Sequence, residues 1–480
     1  MNTARICRTL SPGLLAGIAA LAICADAGAQ TSDPALNALV KKGFLTEQEA
    51  KDALAEAQTN LVNGSEEKLP SVSKWKVSDI IKSIQLFGDV RFRYEYRGAD
   101  NAPGSGATGD TYQRERFRYA IRIGIRGDLQ DDFYYGLRAE TSSNPRSPWV
   151  TFGDDSNPTP SDKTKDTIGI GQVYLGWRTT DWLELTVGKM PMPLYVTPLI
   201  WDSDINPEGA AEKFKHSIGD VDLFANFGQF LYQDSNPDNS FPSADTFILA
   251  WQGGANFNLR RDMSFKIAPV LYVYTGQGQN NGLSQPFSGQ GQDGLNPNTT
   301  GFNQNGINDL LVLETPAEFN FNLGPYKARV FGDFAYNFQG DDRARAAVGA
   351  TAPEGNLPVA VTGQNKAYQV GVGYGNLGLV YGQTSKKNTW EARVYWQHVE
   401  QYAADVNLLD SDFFEGRGNL EGLYTALSYS ITDSIIGTIR YGYAQRINSR
   451  LGTGGSNQDL PVLNPVNNYN LVQLDLTWRF

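Results

Sequence analysis

From Leu471 to Phe480 the chain reads L-V-Q-L-D-L-T-W-R-F, with Val472, Leu474, Leu476, Trp478 and Phe480 alternating against Gln473, Asp475, Thr477 and Arg479. A strict two-residue period puts every apolar group on one face of an extended chain and every polar group on the other, which predicts a β-strand. In an open sheet a long strand of this kind presents an unpaired edge that invites aggregation. A sheet closed into a barrel has no edge. A tilted strand of about ten residues is also the length that crosses a bilayer.

The other end agrees. Arg5 and Arg8 precede an apolar run, Leu14 to Ala25, that is too short for a membrane helix, and Ala27-Gly28-Ala29 follows as a small-x-small site. This pattern predicts a signal peptide over residues 1–29, cleaved before Gln30. A lipoprotein reading of Leu21-Ala22-Ile23-Cys24 is the alternative, and Ile23 disfavours it where a small residue is wanted. Cys7 and Cys24 both fall inside the signal, so no disulfide or cysteine-ligated metal is expected in the remainder. Removing Arg5, Arg8 and Asp26 from 41 basic and 52 acidic residues leaves 39 and 51, a net charge of −12. Nucleic acid, which calls for a basic patch, is not an expected partner. No later apolar run approaches the roughly 20 residues of a membrane helix. A mean hydropathy of −0.39 suits a barrel, in which only every other residue must be apolar. The alternative is a large secreted β-sandwich or solenoid, but no fixed-period repeat is present.

Between signal and strands lies a segment of different character. Leu36, Leu39 and Val40 stand at helical spacing before Gly43, and Thr46 with Glu49 forms a capping-box pattern ahead of Ala50, Ala53, Leu54 and Ala57. We expect a helical hairpin over about residues 34–60 and a polar linker, together a periplasmic segment over residues 30–80. A stripe this small cannot fold alone, and must pack on the barrel, on another copy or on the cell wall.

From Ile84 alternation dominates. Val90, Phe92, Tyr94 and Tyr96 alternate with Asp89, Arg91, Arg93, Glu95 and Arg97; Phe117, Tyr119, Ile121, Ile123 and Ile125 oppose Arg114, Arg116, Arg118, Arg122 and Arg126. Similar segments recur to the end, for a total of about 16 and a range of 14 to 18. Short turns such as Arg178 to Asp181 and Thr432-Asp433-Ser434 alternate with long Gly-, Asn- and Asp-rich stretches such as Gly276 to Asn308. The fold class expected is an all-β membrane protein, an antiparallel transmembrane β-barrel over residues 81–480 with a short N-terminal helical segment.

The segments L-F-G-D-V-R-F-R-Y (86–94), G-Q-V-Y-L-G-W (171–177), L-T-V-G-K-M (185–190) and D-L-T-W-R-F (475–480) resemble those of a family of putative Gram-negative outer-membrane porins related to the phosphate-selective porins. The resemblance runs along essentially the whole chain after the signal. It implies a 16-stranded barrel in the outer membrane, set in lipid and lipopolysaccharide. It also implies a homotrimer that passes small hydrophilic solutes and ions by passive diffusion. The terminal strand, with Trp478 and Phe480, resembles the signal read by the outer-membrane assembly machinery. The basic residues that line phosphate-selective pores have no residue-by-residue match here.

A channel needs no catalytic group. It needs a constriction that sets size and charges that set sign. The candidate constriction is the stretch from about 190 to 214, stiffened by Pro191, Pro193, Pro198 and Pro207, with Asp202, Asp204 and Glu208 as its acidic residues. An ordinary extracellular loop is the alternative. Facing it we expect a basic wall of Arg91, Arg93, Arg97, Arg114, Arg116, Arg118, Arg122 and Arg126, all on the polar face of two adjacent strands. Structural pairing of these arginines with Asp89 and Glu95 is an equal alternative. Asp202-x-Asp204-x-Asn206 opens like a calcium loop, but Pro207 stands where that loop needs glycine, so no metal is expected. His216 and His398 are the only histidines and neither sits in a nucleophile motif, so neither catalysis nor a cofactor is expected. Three functions remain in view: a passive channel with an anion preference left open, a solute-selective channel with a saturable site for phosphate or another anion, and a structural barrel.

Overall fold

The computed structural model describes residues 78–101, 111–153, 166–234, 245–275, 309–348, 363–449, 451–453, 455 and 466–480, together with residues 40–42, 46, 48 and 51. Two compact units divide at Val77 and Ser78. In the first, Val40, Lys41, Gln48 and Lys51 are helical. The rest of the expected hairpin, and the signal, lie outside the described residues.

The second unit is a closed antiparallel barrel of 16 staves. In order these are β1 (Gln85–Asn101), β2 (Thr111–Asp128), β3 (Phe133–Thr141), β4 (Ile168–Thr180), β5 (Leu183–Lys189), β6 (Glu208–Ile218), β7 (Val221–Gln233) and β8 (Thr246–Arg260). Next come β9 (Met263–Ile267 with Val270–Tyr274) and β10 (Leu311–Glu314 with Ala317–Leu323), then β11 (Tyr326–Asn337) and β12 (Lys366–Gly375). The circle ends with β13 (Trp390–Val399), β14 (Leu420–Ser430), β15 (Ile435–Arg446) and β16 (Val466–Arg479). The breaks in β9 and β10 fall beside Pro269 and Pro316, whose missing N–H groups cannot join a ladder. The two breaks face each other, and Ala268 N donates to Pro316 O at 3.0 Å.

Closure runs through the stretch with the strict alternation. β16 pairs with β1 from Asp89↔Arg479 to Gly98↔Asn470. Gly88 N donates to Phe480 O and Phe480 N to Gly88 O, both at 3.1 Å, so the last strand has no open edge. Outward residues are large and apolar: Phe92, Phe117, Val173, Trp251, Val372 and Leu474 are all exposed. In water such a band would aggregate; in a bilayer it is the lipid-facing surface. No helix among the described residues is long and apolar enough to cross a membrane.

Short turns gather at one rim and long connections at the other, with one exception. The β12–β13 connection is on the short-turn side yet runs from Asn376 to Thr389, with Leu379 and Val380 buried. On the long-loop side two connections fold inward, residues 190–207 and 400–419, and their apolar side chains meet the inward faces of β7 to β9 and β13 to β14 in one core. The expected constriction stretch is therefore shorter than read from the sequence: Glu208 to Phe214 are part of β6.

Candidate channel constriction

The inward turn of residues 190–207 begins at a glycine pair. Gly188 and Gly209 face each other across β5 and β6 with φ of +115° and +147°. A Cβ on Gly209 would stand 2.0 Å from Gln229 O. Only glycine permits both the left-handed backbone and the approach. The loop base is tied by Met190 N to Pro207 O at 2.9 Å. Leu194, Leu199, Ile200 and Trp201 are buried, and the Trp201 ring lies 5.8 Å from Phe230 and 6.3 Å from Tyr272. The Tyr195 backbone N–H donates to Gln252 Oε1 at 2.8 Å, and Lys266 Nζ sits 3.5 Å from the centre of its ring.

The second loop is stapled to the first through Asp202. Its backbone N–H donates to Leu408 O at 2.6 Å, and its Oδ2 accepts from Ser411 N at 3.0 Å and Ser411 Oγ at 2.7 Å. Arg146, from the β3–β4 connection, clamps the same loop by donating to Val406 O at 2.9 Å and to Leu409 O. Burial and the neighbouring Asp204 push the Asp202 carboxyl up to about 7. Asp202 thus faces the other loop. Asp204 faces the basic wall, 3.4 Å from Arg122. Glu208 lies on β6 at 2.9 Å from Lys189, away from both.

The wall is built by register. Across β2, β1 and β16 the pairs are Asp89↔Arg122, Glu95↔Arg116, Arg93↔Arg118 and Arg97↔Arg114, then Arg93↔Asp475 and Glu95↔Gln473. Glu95 is fully buried and draws four guanidinium groups: Arg116 at 2.5 Å, Arg97 at 3.2 Å, Arg118 at 3.6 Å and Arg93 at 3.8 Å. Gln473 donates to it at 2.9 Å. Arg93 also meets Asp475 at 2.7 Å and Asp412 at 3.1 Å, and lies 4.0 Å from the centre of the Trp149 ring. Arg97 reaches Glu415 at 3.6 Å. Arg91 and Arg122 share Asp89, at 2.6 and 2.9 Å. Arg114 is half-buried on the inward face, and Arg126 is exposed at the rim, bonded to Gln85 at 2.9 Å. The eight arginines therefore divide into an inner group held under the loops and an outer group of Arg91, Arg122 and Arg126 toward the short-turn rim.

The loop of residues 400–419 was not singled out from the sequence. Its signal was present: Tyr402, Ala403, Ala404, Val406, Leu408, Leu409, Phe413 and Phe414 are too many apolar residues for a loop in water, and all are buried. The long β12–β13 connection was also missed. It crosses the short-turn mouth as a strap: Val380 N donates to Glu391 Oε2 at 3.0 Å, Ser385 Oγ to Asp433 O at 2.6 Å, and Lys387 N to Asp433 Oδ1 at 2.8 Å. Strap, wall and both loops enclose a cavity of about 450 Å³, lined by Arg91, Arg122, Arg440, Arg479, Asp204, Asp412 and Tyr381 among others. Trp478 and Phe480 stand on the outer face at the same rim, ring centres 5.3 Å apart.

A family model described as "Putative porin" matches residues 99–325 and 309–480. No curated protein matches the chain. Among solved structures, an anion-selective porin from Comamonas acidovorans is similar with a TM-score of 0.42 at 11% identity, covering 83% of this chain and 99% of that one. A triple mutant of the Rhodopseudomonas blastica porin gives 0.37 at 11% identity, covering 83% and 100%.

Proposed function

The chain belongs to the putative porin family, and on that premise we propose how its barrel selects what passes. It is an outer-membrane porin of a Gram-negative bacterium, a membrane-embedded channel for passive diffusion of small hydrophilic solutes and ions. The finer reading is a charge-selective constriction: the outer arginines Arg91 and Arg122 form one side, and Asp204 with Asp412 on the two inward loops forms the other. A lumen walled by opposite charges in a low-dielectric shell carries a transverse field, and Arg479, a lining guanidinium with no carboxylate within 4.0 Å among the described residues, tips it toward anions. The observation that supports this most is the cavity between wall and loops, which both charge sets line. In this reading Arg93, Arg97, Arg116 and Arg118 are the structural foundation of the wall, tied to Glu95, and Asp202 holds the loops together. The barrel acts without catalysis, with Trp478 and Phe480 as the assembly signal, residues 1–29 as a signal peptide and residues 30–80 as a periplasmic segment. A homotrimer in contact with lipopolysaccharide fits the same reading. Ion current through the purified protein in a planar bilayer tests it. Stepwise ohmic conductance with an anion-selective reversal potential is expected, and folded barrels without conductance would overturn it in favour of a structural barrel.

A further inference from the structure

Beside the cavity under the strap, against the ring of its lining residue Tyr381, stands a feature that a purely electrostatic filter does not need. Arg393, inward on β13, is 7% exposed, and its guanidinium lies 4.1 Å from the Phe331 ring centre and 4.5 Å from that of Tyr381. Its Nε has no hydrogen-bond partner, and among the described residues no carboxylate comes within 4.0 Å. A buried guanidinium held between rings and left without a counter-ion is costly unless something else completes it. Arg479, in the cavity wall beside Gly382 of the strap, likewise makes no ion pair among the described residues, because its cross-strand partner Asp89 is engaged by Arg91 and Arg122. The strap thus passes between two guanidinium groups that lack carboxylates.

The remaining wall is aromatic. Tyr381 is 42% exposed and lines this space, and Tyr395 and Tyr424, stacked at 4.7 Å, line it as well. Five arginines and five aspartates line the cavity in all, so a compact dianion would meet nearly as much repulsion as attraction there. A monoanion with a flat apolar body uses both surfaces. Its carboxylate accepts from a guanidinium fork, and its ring packs on tyrosine.

We propose that this cavity is a binding site for small aromatic monocarboxylates, with Arg479 as the guanidinium group, Tyr381 of the strap as the ring platform and Arg393 packed behind that ring. The site rests on the channel reading for its purpose, since it would be the selective waypoint of the pore. Burial beside Asp202 and Asp412 pushes the Asp410 carboxyl well up.

Two measurements on the purified full chain test it side by side: calorimetric titration with benzoate, acetate and inorganic phosphate, and ion current with the same three probes. Benzoate is expected to bind, and to block KCl current, at concentrations at least about tenfold lower than acetate or phosphate. Tyr381→Ala and Arg479→Gln should each weaken benzoate binding at least about fivefold. Tyr381 sits on an exposed turn, so its variant is not at risk of failing to fold. Equal affinity for the three probes, tighter binding of phosphate, or benzoate binding unchanged in both variants overturns the proposal. Preferential benzoate binding by a barrel that passes no current would uphold the site and sink the channel reading. Current without preferential binding does the reverse.

Discussion

Replacing Glu95 with glutamine would leave four guanidinium groups within 3.8 Å of a neutral amide, in a place where water does not reach. Removing one partner of a buried ion pair costs about 3–5 kcal/mol, because the survivor stays buried and uncompensated. Glu95→Gln should therefore lower the urea midpoint of the folded barrel clearly, as read by tryptophan fluorescence. Glu115→Gln, on the exposed outer face of the adjacent strand, should shift it by no more than about 0.5 kcal/mol. Equal midpoints for the two variants would remove Glu95 from its structural role. Asp202 gives a pH dependence of opposite origin. Lodged between the loops its carboxyl is raised from 3.8 to about 7, with Asp204, Asp410, Arg146 and Ser411 as the facing groups. In a loop-released state it is hydrated and ordinary. The lodged state then binds the proton more readily, so the contact is strongest in acid and weakens as pH rises from about 4 through about 7. Proteolysis within residues 400–419 should be faster at pH 8 than at pH 5. Asp202→Asn should flatten the difference, and an unaltered pH dependence in that variant would rule out the assignment.

At the level of elements, the strap is the part of the barrel with the clearest single consequence. Replacing residues 377–388 with a two-residue turn should leave the β12–β13 pairing intact, since their ladder from Gly375↔Glu391 to Ala367↔Val399 does not use them. With the strap gone the mouth is wider, and single-channel conductance should rise by about twofold. An unchanged conductance would place the narrowest point at the loops instead. The strap also shows where sequence reading stops. Strands were legible because a wall between lipid and water forces a period of two, and that rule alone places β1, β2 and β16 with their inward arginines. The stretch at 190–207 stood out by its prolines and acidic residues, but its reading as an inward loop leaned mostly on the resemblance to porins. The strap and the loop at 400–419 obey no period, and length alone suggested a simple short–long alternation. What places them inside is the burial of Leu379, Val380, Phe413 and Phe414, a contest between water and the lumen that local pattern does not encode. The same limit applies to the site. Phase puts the arginines on one face of their strands, yet phase cannot say which of them a loop will cover or which aspartate will turn toward another loop.

For the molecule as a whole the open question is which sign of charge governs passage, and the net charge does not answer it. The chain after the expected signal carries −12, but fixed charges act over a Debye length, roughly 8 Å in physiological salt. A solute in the cavity under the strap feels the groups that line it rather than the net charge of the whole chain. Of those lining groups, Asp89 and Asp475 are neutralised by arginines within the wall, Asp204 and Asp412 reach only one arginine each, and Arg479 reaches no carboxylate among the described residues. The formal charges balance at five against five, and the expected anion preference rests on Arg479, the lining guanidinium with no carboxylate within 4.0 Å among the described residues. Under a dilute KCl gradient the reversal potential should show anion preference. At about 1 M salt, where screening shortens to roughly 3 Å, the preference should largely vanish. Arg479→Gln and Arg91→Gln together should move the reversal potential toward zero in dilute salt while leaving the value at high salt unchanged. A cation-selective reversal in the unmodified protein would mean that Asp204 and Asp412 dominate, and neutralising them should then invert the sign. A preference that persisted undiminished in molar salt would point away from the summed lining charges and toward a discrete bound-ion step, the kind of step that the guanidinium of Arg479 in the cavity wall is placed to provide.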